Sequence, residues 1–590
     1  MLIGSGATIS LLSIGQINLS QGNFDLYAQK TLLGWAIVGG NNSQDAKNRV
    51  TCNYSELTSQ MNKFWVIEEP YTKNTKDSQE SLCESHYREN TTRNTAGRCI
   101  VRLPFREENI ELGNSRSLAL RRFYCLERRF KTDSNLFAEY SKVMQEYITL
   151  GHMSVIENEI EEGYYMPHHP VIKESSSTTK LRVVYNASAK TKRGISLNDA
   201  LMVGPTIQNK LFEHILRFRM YEYVLTADIA KMYRQVLVDA RDRKYQRIFW
   251  YHDNKIKAYE LNTVTFGVAS APYLAIRTIQ QLADDEGAAF PLAQKVLKRD
   301  FYVDDFLTGG NSIEEVLQVR DQVIELLKRG GFIIRQWASN HTHALDNINE
   351  KILGVDCAVE QNTVLRTLGV TWNSQRDTFV YSAKPIDLTT KITKRIILSE
   401  IAKIFDPLGL LGPIILTAKS IMQKCWNAKI DWDESVTQDL FTIWSSFASQ
   451  MNLIRDVSVE RRLLIKDPTR IELHGFCDAS KIGYGACLYM RSTNQNNETF
   501  VRLACVKSRV SPLKGNEDGT TIPRLELCGA LTLSRLFIEA RSTFEFHLDK
   551  IIFWSDSTTV LQWLQKSPQT LKVFERNRVS EIQSLQEYVP

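Results

Sequence analysis

No C-x-x-C pair occurs anywhere in the 590 residues, and no two histidines are spaced to complete a zinc site, so no zinc module can be read from the chain. The ten cysteines are scattered. A chain of this length needs no disulfides, and reduced thiols are the simpler reading. Uninterrupted apolar runs of the roughly eighteen residues that a membrane span needs are missing as well. Met1 to Leu19 lacks a basic start, and Ser, Thr and Gly break its apolar run, which rules out a signal peptide. The expectation is an intracellular protein, cytoplasmic or nuclear, neither secreted nor held in a membrane. A strong charge of one sign is also missing: 73 basic residues against 67 acidic ones leave a net of +6. That balance is compatible with a nucleic-acid partner without establishing one. There is no internal repeat.

What is present is an ordinary globular composition, 43% apolar and 24% charged, in a chain long enough for about three to five domains. Residues 1–40 read as short strands with glycine turns. Residues 41–60 and 71–98, rich in Asn, Ser, Thr and charge, read as linker, with a short helix between them at Met61 to Glu69. From about 99 to 350 strands and helices alternate. Arg116 to Gly151 is one long amphipathic stretch. Strands are expected at Val171-Ile172, Leu181 to Tyr185, Tyr223 to Ala227 and Ile248 to Trp250. Helices are expected at Pro272 to Asp284 and at Ile313 to Arg329, the latter stopped by Gly330-Gly331. Residues 395–450 look helical, with a break at Asp406-Pro407-Leu408-Gly409. The segment 471–565 reads strand, strand, strand, helix, strand, helix. His168-His169 and His341-Thr342-His343 read as surface or loop histidines.

The chemistry concentrates in two places. Phe301-Tyr302-Val303-Asp304-Asp305-Phe306-Leu307 places two adjacent carboxylates between apolar pairs. That is costly in a sheet unless they bind a metal or sit in a tight turn. A turn pair is the plain reading. Against it, Tyr223-Val224-Leu225-Thr226-Ala227-Asp228 is a second apolar strand ending in a carboxylate. Three carboxylates on adjacent strands can hold two Mg²⁺ ions, which prefer hard oxygen ligands together with substrate phosphates.

The second place lies near the C-terminus. Ile471 to Asp478 alternates and ends in a carboxylate, Glu526 opens an apolar helix after Pro523, and Asp556 follows the strand Lys550 to Trp554. Singly, Glu526 would favour a helix N-terminus, and Asp478 or Asp556 would cap a turn. The order strand-Asp, helix-Glu, strand-Asp is that of a two-metal phosphodiester hydrolase.

Tyr302-Val303-Asp304-Asp305 resembles the Y-x-D-D motif of reverse transcriptases. Thr226-Ala227-Asp228-Ile229-Ala230-Lys231-Met232-Tyr233-Arg234-Gln235-Val236 resembles their first palm carboxylate motif, and the wording of both is similar to the BEL/Pao group of long-terminal-repeat retrotransposons. The resemblance implies an α+β and α/β multidomain chain: a right-hand palm polymerase with fingers, palm and thumb/connection, followed by a ribonuclease H-like domain. It implies metal ligation by Asp228, Ile229, Asp304 and Asp305, with Mg²⁺ (or Mn²⁺) as the ion.

The partners implied are an RNA or DNA template with primer, dNTPs and an RNA-DNA hybrid. Lys180-Leu181-Arg182-Val183-Val184-Tyr185-Asn186 is similar to the fingers strand whose Arg meets the triphosphate, here Arg182, with Lys173 as an assistant. An exposed basic residue is the other reading of each. Tyr233 takes the place that packs under the sugar and excludes a 2′-hydroxyl, and it reads equally as a core aromatic. Phe266-Gly267-Val268-Ala269-Ser270-Ala271-Pro272 resembles the template-and-nucleotide loop, with Phe266 where retroviral relatives have Gln, and Gly267 permits close approach to substrate. Leu368-Gly369-Val370-Thr371-Trp372 looks like the primer-grip hairpin. Arg335 reads as an ordinary surface Arg that could otherwise serve the phosphates.

Phe476-Cys477-Asp478-Ala479-Ser480, Pro523-Arg524-Leu525-Glu526-Leu527 and Trp554-Ser555-Asp556-Ser557 resemble the ribonuclease H motifs of the same group. They imply Asp478, Glu526 and Asp556 as metal-binding catalytic residues. Lys507-Ser508-Arg509 and Lys514 line the hybrid's phosphates or form a solvated basic loop. No fourth acidic motif follows Asp556; Glu575 and Glu581 read as helix-surface residues, so the domain is expected to be truncated and its hydrolysis in doubt. The expected domains are a retropepsin-like protease remnant at 1–40, without the Asp-Thr/Ser-Gly motif and without protease activity, and a linker at 41–98. Fingers and palm follow at 99–350, primer grip and helical thumb/connection at 351–468, and the ribonuclease H-like domain at 469–590. The alternative to an active polymerase is a decayed or domesticated element that binds nucleic acid without catalysis.

Overall fold

Period-two alternation in the strands and helical spacing in the amphipathic stretches produce the elements below. The computed structural model describes residues 12–18, 24–31, 34–41, 78–107, 111–157, 163–172, 181–253, 255–348, 364–383, 385–513 and 521–585. The chain divides into two compact units, Met1–Val66 and Ile67–Pro590. In the first, β1 (Leu12–Asn18), β2 (Phe24–Thr31) and β3 (Gly34–Asn41) form an antiparallel meander in the order β1-β2-β3.

The second unit begins with a correction. The stretch read as linker contains helix α1 (Ser78–Asn90), whose Cys83 and Tyr87 are buried. The Tyr87 hydroxyl meets the Thr278 hydroxyl at 3.1 Å, and Glu84 accepts hydrogen bonds from Tyr273 and Arg277. The helix is anchored by one narrow stripe on an otherwise polar surface, which composition alone hides. The amphipathic stretch from Arg116 is two helices, α2 (Arg116–Thr132) and α3 (Ser134–Thr149). Asp133 separates them because its carboxylate accepts from the Leu136 N–H and caps the second helix.

The antiparallel hairpin β4 (His168–Ile172) and β5 (Leu181–Tyr185) follows, and then α4 (Leu211–Phe218). The palm sheet is built from β6 (Tyr223–Ile229), β7 (Phe301–Tyr302), β8 (Asp305–Gly310) and β9 (Ile334–Ser339); α5 (Ala271–Glu286) lies between β6 and β7 in the chain, and α6 (Ile313–Arg329) packs against β6 and β8. Its order is β7-β8-β6-β9, antiparallel throughout. The next sheet joins β10 (Val364–Thr367), β11 (Val370–Asn373), β12 (Thr378–Val380) and the later β13 (Ser458–Glu460); between them run helices α7 (Lys394–Ala402), α8 (Gly412–Asn427) and α9 (Gln438–Gln450).

The last region has strands β14 (Pro468–Ala479), β15 (Gly483–Asn494) and β16 (Thr499–Val510), helix α10 (Ile522–Arg541), strand β17 (Lys550–Trp554), and helices α11 (Thr558–Gln565) and α12 (Val573–Leu585). The sheet order is β16-β15-β14-β17, and only β14–β17 is parallel. Helix α10 packs on one face, and α8 reaches the other beside β16. There Gly409, at φ 74, lies so close that a Cβ would sit 2.0 Å from the Val506 carbonyl, and the Val506 N–H donates to the Leu408 carbonyl at 2.8 Å.

Alternating palm residues feed two cores. Leu225, Ala227 and Phe306 join Phe123, Tyr140 and Leu282 in one, while Val224 and Leu307 join Trp372, Leu473, Leu488 and Phe537 in the other. The second core runs without interruption from the palm into the C-terminal domain. His168, read as a surface histidine, is buried: its Nε2 lies 2.8 Å from the Phe249 carbonyl and its Nδ1 2.5 Å from the Tyr140 hydroxyl. Among the described residues no helix is long and apolar enough to cross a membrane.

Candidate catalytic site

The palm hairpin turns between Tyr302 and Asp305, which are paired across it. Val303 takes φ 57, a left-handed conformation that a β-branched residue adopts only when its surroundings impose it. Two backbone contacts impose it here. The Val303 N–H donates to the Gln208 side chain at 3.1 Å, and the Ile229 N–H donates to the Asp304 carbonyl at 2.9 Å. Asp305 and Asp228 are direct cross-strand partners, so their carboxylates share one face, with Asp304 at the adjoining turn. Ile229 is buried, and its apolar side chain leaves only the backbone carbonyl as a donor to a metal.

Burial and mutual repulsion act on all three acids. Burial raises Asp228 to about 6, aided by the Asp304 charge and opposed by Arg335 and Arg182. Asp305 is pushed up to about 7 by burial and then by Asp304 and Asp228, against a hydrogen bond from the Leu368 N–H. Asp304 is raised by burial, with Arg182 pulling the other way. Among the described residues no three His, Cys, Asp or Glu side chains close on a point that could hold an ion as they stand. The donor set nevertheless fits a hard divalent cation: three carboxylates at one end of the two central palm strands, each held above its ordinary range chiefly by burial.

Around this edge stand the other residues singled out in the sequence. Arg182, exposed on β5, acts electrostatically on both Asp228 and Asp304. Lys173 lies outside the described residues. Tyr233 is 8% exposed and its ring lies 4.4 Å from that of Phe266, which is 43% exposed, so the two form an aromatic pair. Gly267 has φ 95, and a Cβ there would meet the Tyr185 carbonyl at 2.1 Å. Its close backbone approach is therefore to β5, within the protein. The Asn198 amide secures this loop, donating to the Gly267 carbonyl and accepting from the Ala269 N–H.

Sequence reasoning read Arg335 as a surface Arg and missed its contact with the first palm carboxylate. Arg335 is the cross-strand partner of Asp228 on the side away from Asp305, with Nε 3.6 Å from Oδ2. The signal that could have found it is its place two residues into the strand after Gly331-Phe332, beside the first palm carboxylate.

In the C-terminal domain Phe476 pairs with Trp554 in parallel register, which puts Asp478 and Asp556 equally far beyond the pair at the strand ends. Both line a cleft of about 680 Å³, whose other walls include Phe476, Trp554, Val506 and, from α8, Pro413 and Leu416. Glu526 is half-buried in the first turns of α10. One turn on, the Cβ position of Gly529 is 3.3 Å from the Asp478 carbonyl, so the helix crosses the end of β14 there.

Glu575 and Glu581 are not surface residues. Glu575 is 6% exposed and accepts from Arg524 at 2.9 Å, and Glu581 forms a two-pronged pair with Arg535 at 2.6 and 2.9 Å. Both clamp α12 to α10 through charge-assisted hydrogen bonds to partly buried arginines.

Residues 175–371 match the family described as reverse transcriptase (RNA-dependent DNA polymerase), and residues 393–557 match the Pao retrotransposon-like RNaseH-like domain. No curated protein matches the chain. Two similar solved structures are a foamy viral protease-reverse transcriptase dRH in complex with ds DNA and a foamy viral protease-reverse transcriptase in complex with RNA/DNA hybrid. The first is 13% identical at a TM-score of 0.45, over 98% of this chain and 91% of that one. The second is 12% identical at 0.49, over 97% of this chain and 70% of that one.

Proposed function

We infer that this chain, a Pao-type retrotransposon Pol protein in which a reverse transcriptase domain precedes an RNase H-like domain, extends a primer 3′-end with deoxynucleotides along an RNA or DNA template. The observation that carries the reading is the placement of Asp228, Asp304 and Asp305 together at one end of the two central palm strands. Asp228 and Asp304 are the main metal ligands, with Asp305 and the Ile229 carbonyl in support. Mg²⁺ held there supplies a lowered pKa for the attacking 3′-hydroxyl and counter-charge for the departing pyrophosphate.

The protein's own groups do the rest. Arg182 binds the triphosphate from the fingers hairpin. The Tyr233–Phe266 pair forms the floor under the sugar, and Tyr233 excludes a 2′-hydroxyl. Gly267 and Asn198 hold that floor in place. Template and primer are gripped through the backbone, so binding weakens steeply with salt. Asp478, Glu526 and Asp556 form a second phosphodiester site for the RNA strand of a hybrid.

Primer extension on an RNA template with Mg²⁺, with Asp304→Asn as control, tests the polymerase. The unmodified chain extends the primer and the control falls by about a thousandfold or more. If the unmodified chain binds template and does not extend, a nucleic-acid-binding protein without turnover replaces this reading.

A further inference from the structure

Asp305, Asp228 and Arg335 stand in a row across three neighbouring strands, each the direct partner of the next. Cross-strand partners share a face, so the guanidinium ends the row of carboxylates on the side away from the hairpin. Just past it the register slips: Gln336 takes φ 56, and pairing with β6 resumes at Ala338 opposite Thr226. Such a bulge bends the strand and re-aims the side chain next to it.

The contact is loose. At 3.6 Å the Arg335 Nε is within ion-pair range of Asp228 and beyond a hydrogen bond, and it is buried with no hydrogen-bond partner. Elsewhere in the same molecule Arg461 grips Asp377 through two hydrogen bonds of 2.5 and 2.7 Å. That is how a permanent arginine–carboxylate pair is built. Arg335 is 37% exposed and has room to move away. Asp304 adds repulsion at Asp228, and Arg182 reaches the same carboxylates from the fingers.

We propose that Arg335 is a displaceable counter-charge: without metal its guanidinium neutralises Asp228, and it yields that carboxylate when a divalent cation enters. The inference rests on the metal-binding reading above and makes Arg335 a positioning residue. A bare cation must compete with the guanidinium. A cation arriving with a triphosphate brings anionic oxygens that give the released guanidinium a new partner. The site thereby favours the metal–nucleotide complex over free metal.

The test is Mn²⁺ binding to the full chain without nucleotide or primer, followed by electron paramagnetic resonance of the free ion at pH 8. Arg335→Gln and Arg335→Met bind Mn²⁺ at least about threefold more tightly than the unmodified protein, a modest gain because the pair is partly solvated. Arg335→Lys stays within about twofold of it, and Asp228→Asn binds least. Equal or weaker binding by both neutral variants, with Asp228→Asn still impaired, overturns the inference and leaves the metal site standing. Equal binding by Asp228→Asn and the unmodified chain overturns the metal site itself. A thermal melt of each variant in chelator, where Mn²⁺ then raises the melting temperature more for the neutral variants, reads the same effect through stability.

Discussion

Arg219 and Arg461 are bonded to each other's neighbourhoods across two domains. The Arg219 guanidinium donates to the carbonyls of Arg461, Glu460, Leu503 and Ala504, while Arg461 donates to those of Phe218 and Tyr221 and to the Asp377 carboxylate. Both side chains are buried. Together they tie the end of α4, in the polymerase region, to β13 and to β16 of the RNase H-like domain. The two candidate sites therefore sit on one compact unit with a shared core.

Replacing Arg461 by Met strips the bonds from Asp377 and from several buried carbonyls at once. The expected cost is about 3–5 kcal/mol of unfolding free energy, as for other broken buried pairs. Urea denaturation followed by tryptophan fluorescence measures it. A loss below about 1 kcal/mol would show that the pair is not what holds the domains together.

Gly267→Ala would place a methyl group 2.1 Å from the Tyr185 carbonyl at a φ of 95. The loop must shift, destabilising the protein by about 1–3 kcal/mol. It also displaces Phe266 from Tyr233, so selection against ribonucleotides should weaken. Extension with dNTPs and with rNTPs, compared before and after the substitution, reads this directly, and unchanged discrimination counts against the aromatic floor.

His168 gives a pH dependence of known sign. Burial pushes the imidazole down to about 4, from roughly 6.5 in the unfolded chain. Between those values the unfolded state binds a proton that the folded state refuses, so stability falls as pH drops from about 6.5 towards 4. His152 and His214, also lowered to about 4 by burial, act in the same direction. In His168→Gln the slope of unfolding free energy against pH should be shallower by up to one proton across that window. An unaltered slope would mean that His168 titrates normally.

Asp478→Asn alters the RNase H-like cleft and leaves the palm untouched. Primer extension should stay within about twofold of the unmodified protein, and any cleavage of the RNA strand in a hybrid should disappear. A comparable loss of both activities would contradict two separate sites.

Much of this was legible from residues alone. The strands that carry Asp228 and Asp478, and helix α6 with its stop at Gly330, all follow from apolar periodicity interrupted by charge or glycine. Less legible were the elements whose burial depends on distant partners. Helix α1 reads as polar because two side chains anchor it. His168 reads as a surface residue because its partners, the Tyr140 hydroxyl on α3 and the Phe249 carbonyl, lie far along the chain. Glu575 and Glu581 read as solvent-facing because Arg524 and Arg535 lie some fifty residues away.

The sequence by itself determined which candidate carboxylates stand in the chain and in what order, because charge at the end of an apolar strand breaks its pattern. Only the tertiary structure decided which cations meet them. Strand register put Arg335 against Asp228, and the β4–β5 hairpin brought Arg182 within electrostatic reach. Register and long-range packing set distances between charges, and the electrostatics of a buried site depends on those distances rather than on the identity of the groups.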